Sequence, residues 1–555
     1  MGIKQKQQWI SLIKENLLNN GEPKVIKGLT LFKIDNNYFA CENRCPHMGY
    51  PMSKGTIRDS VITCAWHNWD FDMKNGGCLK GACKDLKTYP IKLIDGWVCV
   101  KKNSKDHLIS TKMRVSLNNH LIESMTSGDA FTLAKGIAEW LDYGDEPKHI
   151  VRAAIQQSFK HAIAAHQSDQ AVYELQSIMD AFILSDQMSK KECVLTLLQG
   201  ISIASGHAGI RPEITPFPGK VSIAHRMQLI GRYTDDASQL AIERSLKFPQ
   251  KFSDKAVKIT LSNLSVSNQF IEMPQVLVCI SAIYDAIEIM DFPLFEDSFP
   301  ALTAWVLGRN KPTPSPTGKE AINWLNKNET RLMNCSTNCE GDIDIKLIEA
   351  LCDETHIDHV FDKLIRYLED GVSPLLLLNH FSFISAKKFN NLALNNGGLW
   401  NSASEGFRMV HSIRRLLDGS DDSFLIRSLF YLATSLFKNR WLKGGKEWSG
   451  KIKKSNLKDF EQYFSSGSEK KARDEAVNSI LTDKKNISHT KIVSILMNEN
   501  QSSMQLNTLR AAISEGRLLN HMDTFISGII TYASDMKQSQ YKKSAADFGI
   551  SYMKN

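Results

Sequence analysis

A chain of 555 residues, 42% hydrophobic and 23% charged, is long enough for two to four domains and too apolar for extensive disorder. Its 68 basic and 60 acidic residues leave a formal charge of only +8, and no block of Lys and Arg interleaves with aromatics, which argues against nucleic-acid binding. Eleven cysteines, an odd number in a long chain, do not make a disulfide framework.

The opening stretch Met1-Gly2-Ile3-Lys4-Gln5-Lys6 leads into a polar segment without the apolar core of a signal peptide. The best apolar run, Val276 to Tyr284, soon meets Asp285, Glu288 and Asp291, so no membrane span is expected. The expectation is a cytoplasmic protein with no nucleic-acid and no membrane partner.

From about residue 5 to 103 the pattern is strand-like, with Lys24–Lys27, Leu29–Ile34, Tyr38–Cys41 and Val61–Thr63 separated by turn signals such as Asn19-Asn20-Gly21 and Asp35-Asn36-Asn37. A hairpin with an Asp95-Gly96 turn closes the stretch, joining Tyr89–Leu93 to Trp97–Val100. Inside it lie Cys45-Pro46-His47 and, sixteen residues on, Cys64-Ala65-Trp66-His67. Two Cys–His pairs, one on each of two loops, are what a Rieske-type [2Fe–2S] centre needs: two thiolates on one iron, two imidazoles on the other. Cys45 and Cys64 would take the inner iron, His47 and His67 the outer. A Cys₂His₂ zinc site has the same ligand set, but it pairs like with like, whereas the types alternate here.

The segment from about Trp9 to Val100 resembles Rieske ferredoxins and the Rieske domains of oxygenases. After the first pair, Met48-Gly49-Tyr50-Pro51-Met52-Ser53-Lys54-Gly55 is similar to that family's H-x-G-x-x-L-x-x-G, and Phe71-Asp72 and Gly76-Gly77 follow the second. Asn68 stands where the family usually has glycine, a change that a left-handed backbone tolerates. The resemblance implies a [2Fe–2S] cofactor on Cys45, His47, Cys64 and His67, one cluster per chain. Tyr50 and Trp66 occupy the positions of the disulfide-forming cysteines of the respiratory class, and Trp69 that of its serine. Without those groups the reduced cluster is less stabilised, which implies the lower part of the range of roughly −150 to +300 mV. Cys78 and Cys83, and the lone Cys335/Cys339 pair, lack further ligands nearby and read as ordinary thiols.

Lys101 to Met113 is a polar linker, and from about residue 114 the hydrophobic period becomes helical. Leu133, Ile137, Trp140 and Leu141 share one face of a helix over Ala130–Tyr143, capped by Ser127 or Asp129. Ile150–Ala165 and Val172–Leu184 have the same spacing. The helical part repeats itself: Leu121-Ile122-Glu123-Ser124 matches Leu347-Ile348-Glu349-Ala350, and Leu141 to Pro147 matches Leu368 to Pro374, with offsets of 226 and 227 residues. The Pro- and Thr-rich segment Lys311–Gly318 is the natural joint. The expected architecture is therefore multidomain: a small all-β Rieske domain (1–104), then a large all-α bundle or solenoid with an internal duplication (114–308 and 319–555).

Rieske oxygenases carry a second, mononuclear iron on two His and one carboxylate. The nearest match, Asp353-Glu354-Thr355-His356-Ile357-Asp358-His359, has its histidines one residue too close, and Asp353 reads as a helix cap. Glu146-Pro147-Lys148-His149, with His161 and His166, is one E-x-x-H where a di-iron bundle needs two. His207 and His225 flank a Gly/Pro-broken loop. No catalytic residue is assigned. The leading expectation is an oxidoreductase whose Rieske cluster relays single electrons to chemistry in or on the helical region, with a reductase or ferredoxin as redox partner and a small molecule as substrate. The alternative is a non-catalytic electron carrier, or a redox-sensing protein that docks partners on its helical array.

Overall fold

The computed structural model describes residues 9–35, 37–46, 50–58, 60–66, 68–79, 85–101, 111–162, 168–186, 188–206, 221–247, 255–289, 298–392, 399–442, 457–482, 488–536 and 540–553. The strands come first: β1 (Trp9–Lys14), β2 (Lys24–Ile26), β3 (Leu29–Ile34), β4 (Asn37–Glu42), β5 (Thr56–Arg58), β6 (Val61–Thr63), β7 (Asp70–Asp72), β8 (Ile91–Ile94) and β9 (Trp97–Lys101). They form three antiparallel sheets of three strands, ordered β1-β9-β8, β2-β3-β4 and β5-β6-β7.

Tight turns set the registers. Lys27 and Gly28 both have positive φ, 51° and 79°, and so do Asp95 and Gly96, 49° and 73°. Paired positive φ is the two-residue turn whose twist suits a hairpin, which explains the Gly at each second position. The strand alternation of β3 and β4 then splits their side chains between two cores. Phe32, Phe39 and Cys41 pack with Met52, Ile62 and Phe71 on one face. Leu31 and Ala40 pack with Leu18, Val98 and Val100 on the other. The middle sheet thus carries the loop-bearing sheet β5-β6-β7 on one side and the terminal sheet on the other. Strand β1 escapes the alternation reading because a register shift between Ser11 and Ile13 breaks its pattern.

Among the described residues, the regular elements after the strands are helices. The first series is α1 (Thr111–Ser127), α2 (Ala130–Asp142), α3 (Pro147–Ala162), α4 (Ser168–Leu184), α5 (Lys190–Ile201), α6 (Ile223–Asp235), α7 (Gln239–Leu246), α8 (Lys255–Ser265), α9 (Pro274–Ile289) and α10 (Ser298–Leu307). Two short helices, α11 (Pro316–Lys327) and α12 (Glu329–Asn334), follow the Pro-rich joint, where Ser315 caps α11 through the Gly318 N–H. The second series is α13 (Ile345–Leu351), α14 (Ile357–Glu369), α15 (Pro374–Asn390), α16 (Leu399–Leu417), α17 (Asp422–Lys438), α18 (Leu457–Ser465), α19 (Glu469–Thr482), α20 (Ser488–Leu496), α21 (Ser503–Leu519), α22 (Met522–Asp535) and α23 (Tyr541–Ile550). The chain forms two compact units, one of residues 1–124 with 139–146 and one of 125–138 with 147–555.

The two series recur in order. In both, a glycine with φ +85°, Gly144 and Gly371, ends a helix, and a proline three residues later, Pro147 and Pro374, opens the next. The packing also recurs. Helix α4 lies against α3, α5 and α9, as α16 lies against α15, α17 and α21, and α10 covers α7 and α9 as α22 covers α19 and α21. The series interlock, because α16 also packs on α9 and α4 on α21. That crossing makes a bundle, whereas a solenoid's repeats touch only their neighbours.

The run Val276–Tyr284 lies on α9 at this crossing and is buried on all sides, as a helix apolar all round must be. Its closing acid, Asp285, is paired: Arg510 on α21 approaches it at 2.6 Å and Arg415 on α16 at 2.5 Å. The same Arg510 reaches Asp180 on α4 at 3.0 Å, so one guanidinium ties three central helices. Burial pushes the Asp285 carboxyl up, yet Arg510 and Arg415 outweigh it and hold it below the ordinary range.

Candidate metal centre

Two loops rise from the β domain. One spans from the end of β4 to β5, and the other joins β6 to β7. The first is held open by its own backbone: the Cys45 N–H donates to the Tyr50 carbonyl at 2.7 Å, and the Ser53 N–H donates to Asn43 Oδ1 at 2.8 Å. The second is a tight reversal in which the Cys64 N–H donates to the Trp69 carbonyl at 2.8 Å and the Asn68 N–H returns to the Cys64 carbonyl at 3.0 Å. Asn68 takes φ +55°, the left-handed conformation that the sequence reading assigned to this substitution.

Glycine is obligatory at two supports of these loops. A Cβ on Gly55 would sit 2.6 Å from the Thr63 carbonyl oxygen, where the first loop runs into the second hairpin. One on Gly76, at φ +85°, would sit 1.8 Å from the Leu86 carbonyl oxygen. Thr63 Oγ1 donates to Asp70 Oδ1 at 2.6 Å and clamps the strands that flank the second loop.

This framework brings Cys45 and Cys64 into one apolar core with Phe32, Met52, Ile62, Phe71 and Leu86, both cysteines almost fully buried. His47 and His67, and Cys83, lie outside the described residues. Tyr50 and Trp66, at the positions where the respiratory class has its disulfide, meet ring to ring at 5.8 Å and tie the two loops without a covalent bond. Trp69 packs partly buried against the same core. Two buried sulfurs on hydrogen-bonded loops, with a histidine two residues after Cys45 and three after Cys64 in sequence, suit the thiolate half of a mixed Cys–His metal set.

The other candidate groups do not assemble. Asp353 is no cap: helix α14 begins after His356 without a side-chain cap, and Asp353 is taken up in the turn that ends α13, its N–H bonded to the Ala350 carbonyl. His359 is largely exposed, 3.8 Å from Glu354. His225 is exposed, while His166 and His207 lie outside the described residues. Among the described residues no group of three His, Cys, Asp or Glu is placed to hold a metal ion. Among them, too, no helix is long and apolar enough to cross a membrane. The sequence reading missed the buried charges at the helix crossing. Their signal was an acid, Asp285, directly after nine apolar-rich positions.

Comparison with known proteins agrees with the strand-built segment. Residues 8–90 match the family model described as Rieske [2Fe-2S] domain. Over 76 residues the chain is 33% identical to the ferredoxin component of the naphthalene 1,2-dioxygenase/salicylate 5-hydroxylase systems of a Ralstonia species, covering 14% of this chain and 73% of that protein. Over 86 residues it is 34% identical to the 3-phenylpropionate/cinnamic acid dioxygenase ferredoxin subunit of Photorhabdus laumondii, covering 15% and 82%. Among solved structures, a ferredoxin of Sphingomonas yanoikuyae B1 aligns over 100% of its length and 17% of this chain, at 26% identity and a TM-score of 0.17.

Proposed function

The chain belongs to the Rieske [2Fe–2S] family through its N-terminal domain, and on that premise we propose that it is an oxidoreductase whose Rieske domain relays single electrons to chemistry in or on the helical region. The observation that carries this reading is the burial of Cys45 and Cys64 in one core, on separate hydrogen-bonded loops. The Rieske domain binds a [2Fe–2S] cluster. We assign Cys45 and Cys64 as its thiolate ligands and His47 and His67 as its imidazole ligands.

When bound, the group supplies one-electron transfer and no bond chemistry of its own. The chain's part is to hold the ligands. Backbone hydrogen bonds at Cys45 and Cys64 fix the loops, and the apolar core around both sulfurs excludes water from that side. Trp66, 52% exposed and one residue before His67 in sequence, offers an accessible aromatic edge where a reductase or ferredoxin can dock. The free thiols Cys78, Cys99, Cys193 and Cys335 fit a reducing compartment, and we place the protein in the cytoplasm. The test is metal analysis of the purified chain. Two irons and two acid-labile sulfides per chain, with the Rieske EPR signature on reduction, are expected. Stoichiometric zinc without sulfide would overturn the assignment.

A further inference from the structure

We propose that the crossing of the four central helices holds a binding site for a small organic acid, a carboxylate on an apolar body, with Arg408 as its anchor. Helices α4, α9, α16 and α21 enclose a cavity of about 340 Å³ there. That is the lower end of the size range of small-molecule sites, with room for roughly one or two rings. Its wall combines the largely apolar Tyr173, Val278, Met409 and Met504 with polar side chains from all four helices, Gln176, Gln275, Glu405, Arg408 and Ser503 among them.

Arg408 lines this cavity and is only 8% exposed. Its Nε donates to Ser404 Oγ and its Nη2 to the Asn401 carbonyl, both at 3.1 Å and both uncharged groups of its own helix. Among the described residues, Nη1 has no hydrogen-bond partner and no carboxylate forms an ion pair with the guanidinium. The acids nearby are committed elsewhere: Asp180 to Arg510 and Asn507, Glu405 to the Ser435 hydroxyl. A buried guanidinium that no ion pair meets directly is costly, and the buried Arg510 of the same crossing has two acids, whereas Glu405 acts on Arg408 only through its charge. Burial pulls the Arg408 pKa below the ordinary arginine value.

A second feature points the same way. The cavity is lined by the first residues of α9, Pro274 and Gln275, and by the first residues of α21, Ser503 and Met504. One helix from each series therefore turns its positive end toward the same space, each equivalent to roughly half an elementary charge. Glu405 also lines the cavity and offsets part of this field. Arg408 and Glu405 offset each other in formal charge, and the capping box of Ser502 and Gln505 already takes up part of the α21 N-terminus, so the helix ends leave the site mildly electropositive; a carboxylate is the group that a guanidinium recognises by paired hydrogen bonds.

The inference rests on no property of the cluster. It is tested by calorimetric titration of the full-length oxidised protein with benzoate, hexanoate and 2-naphthoate, and with neutral benzamide and cationic benzylamine as controls. At least one acid is expected to bind, with both controls at least tenfold weaker. Arg408→Gln should weaken the acid at least tenfold, and Arg408→Lys should restore part of the loss. Should Arg408→Gln fail to fold, Met504→Trp fills the cavity and leaves Arg408 in place, and it should abolish binding. Failure of all three acids to bind, equal binding of benzamide or benzylamine, or unchanged affinity in Arg408→Gln or Met504→Trp would overturn the proposal.

Discussion

The cysteines of the β domain differ in environment, and that difference sets their chemistry. Cys41 sits fully buried in the same core as Cys45 and Cys64, but on a strand, and burial pushes its thiol up to about 12, so it stays protonated and inert. Cys45 and Cys64 sit on loops, two and three residues before a histidine in sequence. Cys78 packs at the margin, its N–H bonded to Asp85 Oδ1 at 2.9 Å. Replacing Cys45 or Cys64 by Ser is therefore expected to abolish the visible and EPR signatures of the cluster, while Cys78→Ser leaves both intact. Loss of colour in the Cys78 variant would move the ligand assignment. The ligand residues were legible because their spacing is a chemical requirement of two different irons. The Tyr50–Trp66 contact was not legible, since only the fold reveals that two residues sixteen positions apart in sequence face each other. Such an aromatic pair contributes about 0.5–1.5 kcal/mol, against about 2–4 kcal/mol for the disulfide it replaces.

Elements were readable where their signals are local and obscure where a distant partner decides them. The strands Leu29–Ile34 and Val61–Thr63 and the Asp95-Gly96 turn were visible from alternation and turn chemistry, whereas β1 exists because β9 offers it an edge. Helix α2 follows its apolar face, and Asp129 caps it by accepting from the Thr132 N–H at 2.9 Å. Asp353 looked equally suited to cap α14, but a tightened turn at the end of α13 consumes it first. On α16, His411 is the element-scale case with a measurable consequence. Its Nε2 is buried with no hydrogen-bond partner among the described residues, and its Nδ1 is 4.0 Å from Glu515. Burial, then the nearby Arg510 charge, lowers its pKa to about 3. In the unfolded chain the same imidazole titrates near the ordinary histidine value of about 6.5. Between those two values the unfolded state binds a proton that the native state refuses, so stability falls as pH falls, by about 1.4 kcal/mol per pH unit from this group. Urea unfolding of wild type and His411→Gln at pH values from 7 down to 4 should show the wild type losing its relative advantage at each step below about pH 6.5. Parallel pH dependences for the two proteins would show that His411 is not held neutral.

At the scale of the whole molecule the question is how much chain the Rieske domain needs. All three sheets find their partners between Trp9 and Lys101, and β1 pairs with β9 so that the two ends of the segment close on each other. Both cores are likewise made of residues from Leu12 to Val100. No strand edge in that set depends on a helix for its hydrogen bonds within the sheets. Yet the compact unit that contains the strands also takes in α1 as far as Ser124 and residues 139–146, where His120 lies 3.2 Å from Glu139 and the Trp140 indole donates to Asp145 at 2.9 Å. A domain of about 100 residues buries roughly two-thirds of its surface, enough for independent stability when its core is continuous. A bound cluster adds to that by favouring the folded state alone. A fragment ending at Lys105 is therefore expected to be soluble, red-brown, and to carry the same two irons and two sulfides as the full chain. Its unfolding, followed by loss of visible absorbance, should coincide with that of the full-length protein within a few degrees. If the fragment is colourless or insoluble while a longer one ending at Glu146 is red-brown, the two helical pieces complete the Rieske core, and the functional border lies beyond α1 rather than before it.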